Sequence, residues 1–96
     1  MRIVWSFQSR GDLREIRKFI ARDSPVTAAN FIRKLKVSVE RLRVHPESGQ
    51  VVRELGSSTV REILFGQYRI IYQCGSKRIE ILAVFHGARL LGETEF

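Results

Sequence analysis

Five side chains of this 96-residue chain stand where charge chemistry could be done: Arg61, Arg69, Arg78, His86 and Arg89. A guanidinium holds carboxylates or phosphates, often through two parallel hydrogen bonds. An imidazole can give or take a proton, because its charge changes near neutral pH. Plainer roles compete with these. Arg69 can pair across a sheet with Glu62 or Glu80, a contact worth roughly 0.2–1 kcal/mol, and His86 can close a strand end through a backbone hydrogen bond. His45 and Glu47 flank Pro46 in a stretch that reads as loop and would make a poor metal site, so no metal is assigned. Cys74 is the single cysteine. It excludes an internal disulfide and any multi-cysteine metal centre, suits a reducing cytoplasm, and is expected to serve packing.

The elements that must position these residues follow from periodicity. Arg2-Ile3-Val4-Trp5-Ser6 is β-branched and aromatic, as a strand entering a core is. Ser9 and Asp12 stand in S-x-x-D spacing ahead of Leu13, Ile16, Phe19 and Ile20, which predicts a capped amphipathic helix to about Arg22. Ser24 followed by Pro25 opens a second helix, with Ala28, Phe31, Ile32, Leu35, Val39 and Leu42 on one face and Arg33, Lys34, Lys36, Arg41 and Arg43 mostly on the others. That helix must stop before Pro46. Residues 45–58 read as a loop that could hold a short strand at Val51-Val52. Three runs, 60–65, 68–74 and 78–85, are separated by Gly66-Gln67 and Gly75-Ser76-Lys77, which are hairpin turn compositions. The fold class is therefore α+β: an N-terminal strand, a helical hairpin and a three-stranded antiparallel meander, with the helices on one face of a four-stranded sheet.

A two-residue first hairpin sets Phe65 opposite Tyr68, Leu64 opposite Arg69 and Ile63 opposite Ile70. With an even second loop, Ile63, Phe65, Tyr68, Ile70, Tyr72, Ile79, Ile81, Ala83 and Phe85 share the helix-covered face. Glu62, Arg69, Gln73, Arg78, Glu80 and His86 then share the opposite face with Leu64, Ile71, Leu82 and Val84, a mixed surface suited to a partner. Arg61 falls on the core-facing parity, which requires a sheet margin or a bulge.

Composition bounds the partners. With 44% hydrophobic residues, residues 1–96 support one domain with one core. Lys and Arg number 17 against 10 acids, a net charge of +7, with a pI near 10.5. Such an excess attracts nucleic acid, a ribosome, a nucleic-acid enzyme or an acidic protein segment over a Debye length of roughly 8–10 Å. The opening MRIVWSFQSR is too short an apolar run for a signal peptide. No stretch approaches the roughly 18 apolar residues of a membrane span, so a cytoplasmic protein without a membrane partner is expected.

Arg61-Glu62-Ile63-Leu64, Gly66-Gln67-Tyr68-Arg69-Ile70-Ile71-Tyr72, and Ile79 through His86-Gly87-Ala88-Arg89 resemble the RelE/ParE toxins, with the ParE-like branch nearest. The resemblance extends upstream to Asp12-Leu13-x-x-Ile16, the helix opening at Pro25 with Ala28-Ala29, and Pro46-x-x-Gly49. It implies the same α+β fold and a toxin neutralised by a cognate antitoxin that wraps an extended or helical segment around it. ParE-like members block DNA gyrase, whereas RelE-like members cut messenger RNA in the ribosomal A site, and fold alone does not separate them. RNA cleavage needs a base, an acid and cations around a 2′-hydroxyl attacking its neighbouring phosphate. The resemblance assigns the cations to Arg69 and Arg89, with His86 as acid or base. Nuclease members also carry a tyrosine, or a histidine with tyrosine, at the C-terminal end, where this chain reads Leu90-Leu91-Gly92-Glu93-Thr94-Glu95-Phe96. Tyr68 and Tyr72 fall on the core face and do not replace it. The ParE-like reading follows: a gyrase inhibitor acting by binding, with Arg61, Arg69, Arg78, His86 and Arg89 at partner surfaces and no small-molecule cofactor. The alternatives are a ribosome-dependent mRNA endoribonuclease and an inactive module that binds only its antitoxin.

Overall fold

The chain passes from its first strand to its first helix on one serine. In the computed structural model, which describes residues 1–87, β1 (Arg2–Trp5) is followed by α1 (Phe7–Ala21), with Ser6 between them as the N-cap. Ser6 Oγ accepts the Ser9 N–H at 3.0 Å and donates to the Leu82 carbonyl at 2.9 Å, while the Ser6 N–H reaches the Ile81 carbonyl at 3.0 Å. The S-x-x-D reading of Ser9 as the cap is therefore corrected. Ser9 is fully buried in the first turn, and its hydroxyl donates back to the Ser6 carbonyl at 3.0 Å. Asp12 serves elsewhere, accepting the Val84 N–H at 2.8 Å. Phe19 is also corrected: expected on the apolar stripe, it is 63% exposed.

The second helix, α2 (Pro25–Val39), starts as expected, with Ser24 Oγ accepting the Thr27 N–H at 3.2 Å and proline in the first turn. It tightens into a 3-10 turn at Glu40–Arg43, which buries Leu42 before Pro46 ends the helical run. Leu13, Ile16, Ile32, Leu35, Val39 and Leu42 face one side of the sheet and form the main core with it.

That sheet has five strands in the order β1-β5-β4-β3-β2, where β2 is Gln50–Val51, β3 Val60–Phe65, β4 Tyr68–Cys74 and β5 Arg78–His86. The short strand allowed for near Val51 completes it, and β1 runs parallel to β5. Phe65 pairs with Tyr68, Leu64 with Arg69 and Ile63 with Ile70, as read from the sequence. Gly66, at φ 58°, takes the positive-φ position of that hairpin.

The second hairpin differs from expectation halfway along. Cys74 pairs with Ile79 and Tyr72 with Ile81, but Ile71 pairs with Ala83, so Leu82 is left opposite no residue. This bulge reverses the side-chain parity of everything after it. Val84 joins the helix-side core, whereas Ala83 and Phe85 move to the other face, where they form a second small core with Val52, Val60 and Ile71. His86 is carried to the helix side with them reversed.

Tyr72 joins the sheet to the loop before β2. Its fully buried hydroxyl donates to the Pro46 carbonyl and accepts the Gly49 N–H, both at 2.9 Å. Gly49 must be glycine here, since a Cβ would lie 2.5 Å from both the Tyr72 hydroxyl and the Glu62 carbonyl oxygen. Arg61 sits at the margin of the core parity and donates to the Gly49 carbonyl at 2.8 Å, which resolves its awkward register. Burial pushes the Tyr72 phenol above its ordinary pKa, with the Gly49 N–H pulling weakly the other way. We expect Tyr72→Phe to strand the Gly49 N–H, while the Pro46 carbonyl keeps the Cys74 thiol at 3.1 Å, at a cost of about 1–3 kcal/mol in urea unfolding. A raised folded pKa means that the phenol's contribution is complete below the unfolded pKa of about 10 and is lost as pH rises through the higher folded value. The alkaline decline in wild-type stability above about pH 10 should therefore be shallower in Tyr72→Phe. Equal stability, or superimposable alkaline profiles, would contradict this role.

Candidate functional site

Arg69 extends from β4 on the face away from the helices and is enclosed by acids. Its Nε donates to Glu62 Oε2 at 2.7 Å, its Nη2 binds the same oxygen, and Nη2 also reaches Glu54 Oε2 at 3.4 Å. The guanidinium carbon lies 5.8 Å from the centre of the Phe85 ring, a cation–π distance. Only 14% of the Arg69 side chain and 16% of the Glu62 side chain are exposed. The pairing with Glu62 weighed from the sequence is formed, and Glu54 adds a second carboxylate.

His86 lies across the sheet from this cluster. Tyr68 pairs with His86 and Arg69 with Phe85, so Arg69 and His86 point to opposite faces. The imidazole meets the Tyr68 ring edge-on at 5.7 Å, and its Nε2 is 3.0 Å from Gln67 Oε1. The expectation that His86 shares a face with Arg69 is thus overturned by the bulge at Leu82. Arg61 is engaged with loop carbonyls, Arg78 is exposed at the start of β5, and Arg89 lies outside the described residues. The five side chains do not converge. Among the described residues no group of three or more His, Cys, Asp or Glu side chains is placed to hold a metal, and no helix is long and apolar enough to cross a membrane.

Sequence reading by apolar stripes missed the main groove of the helical layer. Trp5, Leu13 and Ile32 line a depression of about 360 Å³ whose other lining residues are Arg10, Arg14 and Arg17 of α1 and Lys36 of α2. None of these four cations forms an ion pair among the described residues. Arg10 and Arg14, and Arg14 and Arg17, are like-charged neighbours on one helix face, each pair unfavourable by about 0.2–0.5 kcal/mol. The first turn of α1 holds no acid to relieve them. The 10/14/17 spacing was the available signal.

The Arg69 cluster generates one prediction. Glu62→Ala should cost about 1.5–3 kcal/mol in the urea midpoint, because a largely enclosed guanidinium loses its main acceptor. An unchanged midpoint would show that Glu54 and solvent suffice.

Similarity to known proteins agrees with this architecture. The sequence model of a family described as the ParE toxin of the type II toxin–antitoxin system parDE matches residues 3–91. Toxin RelE2 of Caulobacter vibrioides is 32% identical over 89 residues, which cover 92% of this chain and 97% of that protein. Among solved structures, the chromosomal ParDE toxin–antitoxin system from P. aeruginosa has a chain of the same fold, with a TM-score of 0.76 and 18% identity over 90% of this chain and 95% of that one. The toxin–antitoxin complex RelBE2 from Mycobacterium tuberculosis gives a TM-score of 0.58 and 20% identity, over 88% of this chain and 95% of its own. With the family match spanning nearly the whole chain, this α+β protein belongs to the ParE toxin family and is a toxin of a type II toxin–antitoxin system in the RelE/ParE superfamily.

Proposed function

We propose that this toxin acts without catalysis, by binding DNA gyrase, and that its cognate antitoxin neutralises it by docking on the α1–α2 groove. The observation that carries the first part is the enclosure of Arg69. A nuclease needs that cation free to stabilise charge on a phosphate. Here Glu62 and Glu54 already occupy it, and their carboxylates repel RNA. His86, on the other face of the ladder, cannot flank the same phosphodiester as Arg69. The ParE description of the matching family supports the same reading.

The second part rests on complementarity. The groove joins an apolar floor to four cations that form no ion pair among the described residues, a surface suited to an amphipathic acidic segment. Apolar burial on Trp5, Leu13 and Ile32 would hold such a segment, and the cations would speed its arrival.

One finding favours the ribosomal alternative: a 32% identical relative is named Toxin RelE2. Inducing the protein without antitoxin and following labelled thymidine and labelled methionine separates the two. We expect thymidine incorporation to fall first, with purified protein inhibiting gyrase supercoiling. Methionine falling first, with cleaved transcripts, would replace the gyrase reading by the nuclease one. Unimpaired growth under verified expression would mark an inactive, antitoxin-binding module. For the groove, Arg14→Glu with Arg17→Glu should weaken antitoxin binding at least tenfold, or about 1.4 kcal/mol, chiefly through slower association at low salt. Unchanged association would place the antitoxin elsewhere.

A further inference from the structure

The opposite end of β1 carries a second cationic feature. Arg2 and Arg78 are direct neighbours in the parallel pairing of β1 with β5. Ile3, Trp5 and Ile79 pack into the helix-side core, so Arg2 and Arg78 share the face turned away from the helices. Lys77 adjoins them in the turn that the Gly75 N–H closes on the Arg78 carbonyl at 2.9 Å. These three cations, with Gly75 and Ser76, line a hollow of about 610 Å³, and all five residues are exposed. Among the described residues no carboxylate lines it. None of the three cations forms an ion pair among the described residues, and Glu80, on the same face of β5, forms none either. Like charges placed side by side on adjoining strands oppose folding. An anion is the missing component of this arrangement.

We propose that this hollow binds the phosphodiester backbone of duplex DNA. Three cationic donors with no carboxylate acceptor among the described residues match backbone phosphates, which position a protein without reading bases. Among the described residues the lining holds no aromatic ring, so single strands, which bind largely by stacking bases on aromatic side chains, find no platform there. A polymer also presents phosphates in series, so neighbouring cations act together in releasing counterions. The contact goes beyond the gyrase reading, since it is made to DNA directly and does not require gyrase.

The test uses the full chain, free of antitoxin, with a fluorescent duplex of about 30 base pairs titrated at several salt concentrations. Wild type should bind with a steep salt dependence. The triple variant Arg2→Gln/Lys77→Gln/Arg78→Gln should bind about tenfold or more weakly, with a log–log salt slope smaller by about 2–3, given roughly 0.9 per phosphate contact. Its thermal midpoint should not fall, because the substitutions relieve repulsion. The variant Arg22→Gln/Arg33→Gln/Lys34→Gln removes the same charge from exposed positions at the end of α1 and on α2 and should keep most of the wild-type slope. In the wild type, amide resonances of Gly75, Ser76 and Lys77 should shift on adding duplex. Equal losses in the two triple variants, tighter binding to single-stranded RNA, or shifts confined to other regions would each overturn the proposal. Gyrase inhibition by a protein that binds no duplex would overturn it too, while leaving the gyrase reading intact.

Discussion

The Asp12 carboxylate holds the backbone N–H of Val84 at 2.8 Å, and the arrangement of both faces depends on it. β1 stops at Trp5, opposite Ile81, while β5 continues to His86. Beyond Ile81 the outer edge of β5 has no strand to pair with among the described residues, and unpaired edges invite association with other chains. α1 begins at that point, and its second turn supplies the acceptor a neighbouring strand would have supplied. A charge-assisted hydrogen bond of this kind contributes about 1.5–3 kcal/mol. It also fixes the backbone just past the unpaired Leu82, where the bulge sends Val84 into the main core and Phe85 to the other face.

The same bulge marks where the sequence stopped being legible. The start of α2, its end and the first hairpin are local properties, written in Ser24-Pro25, Pro46 and Gly66-Gln67, and they could be read directly. The resemblance also led to the correct fold. A bulge is not local: whether β5 carries an extra residue depends on its two neighbours and on Asp12, far away in the chain. Alternation along 78–85 therefore placed Ala83, Phe85, Val84 and His86 on the wrong faces, although Ile79 and Ile81 before the bulge were placed correctly. Asp12 itself was misread for a related reason. Its spacing from Ser9 fits a capping box, but Ser6 already caps the helix, and the Val84 N–H has the stronger claim on the carboxylate.

Net charge says little until the paired cations are set aside. Arg69 is held by two carboxylates, Arg43 by Glu40 and Lys18 by Glu15. Arg61 donates to backbone carbonyls. Much of what remains falls into two clusters: Arg10, Arg14, Arg17 and Lys36 line the groove, and Arg2, Lys77 and Arg78 line the hollow. Both clusters cost stability through self-repulsion, and among the described residues neither forms an ion pair that would offset it. The residue that looked most catalytic from the sequence is thus the best neutralised. Of the cations most able to attract an anion, only Arg78 was among the five singled out from the sequence; the others stood in stretches read as strand, helix surface and turn.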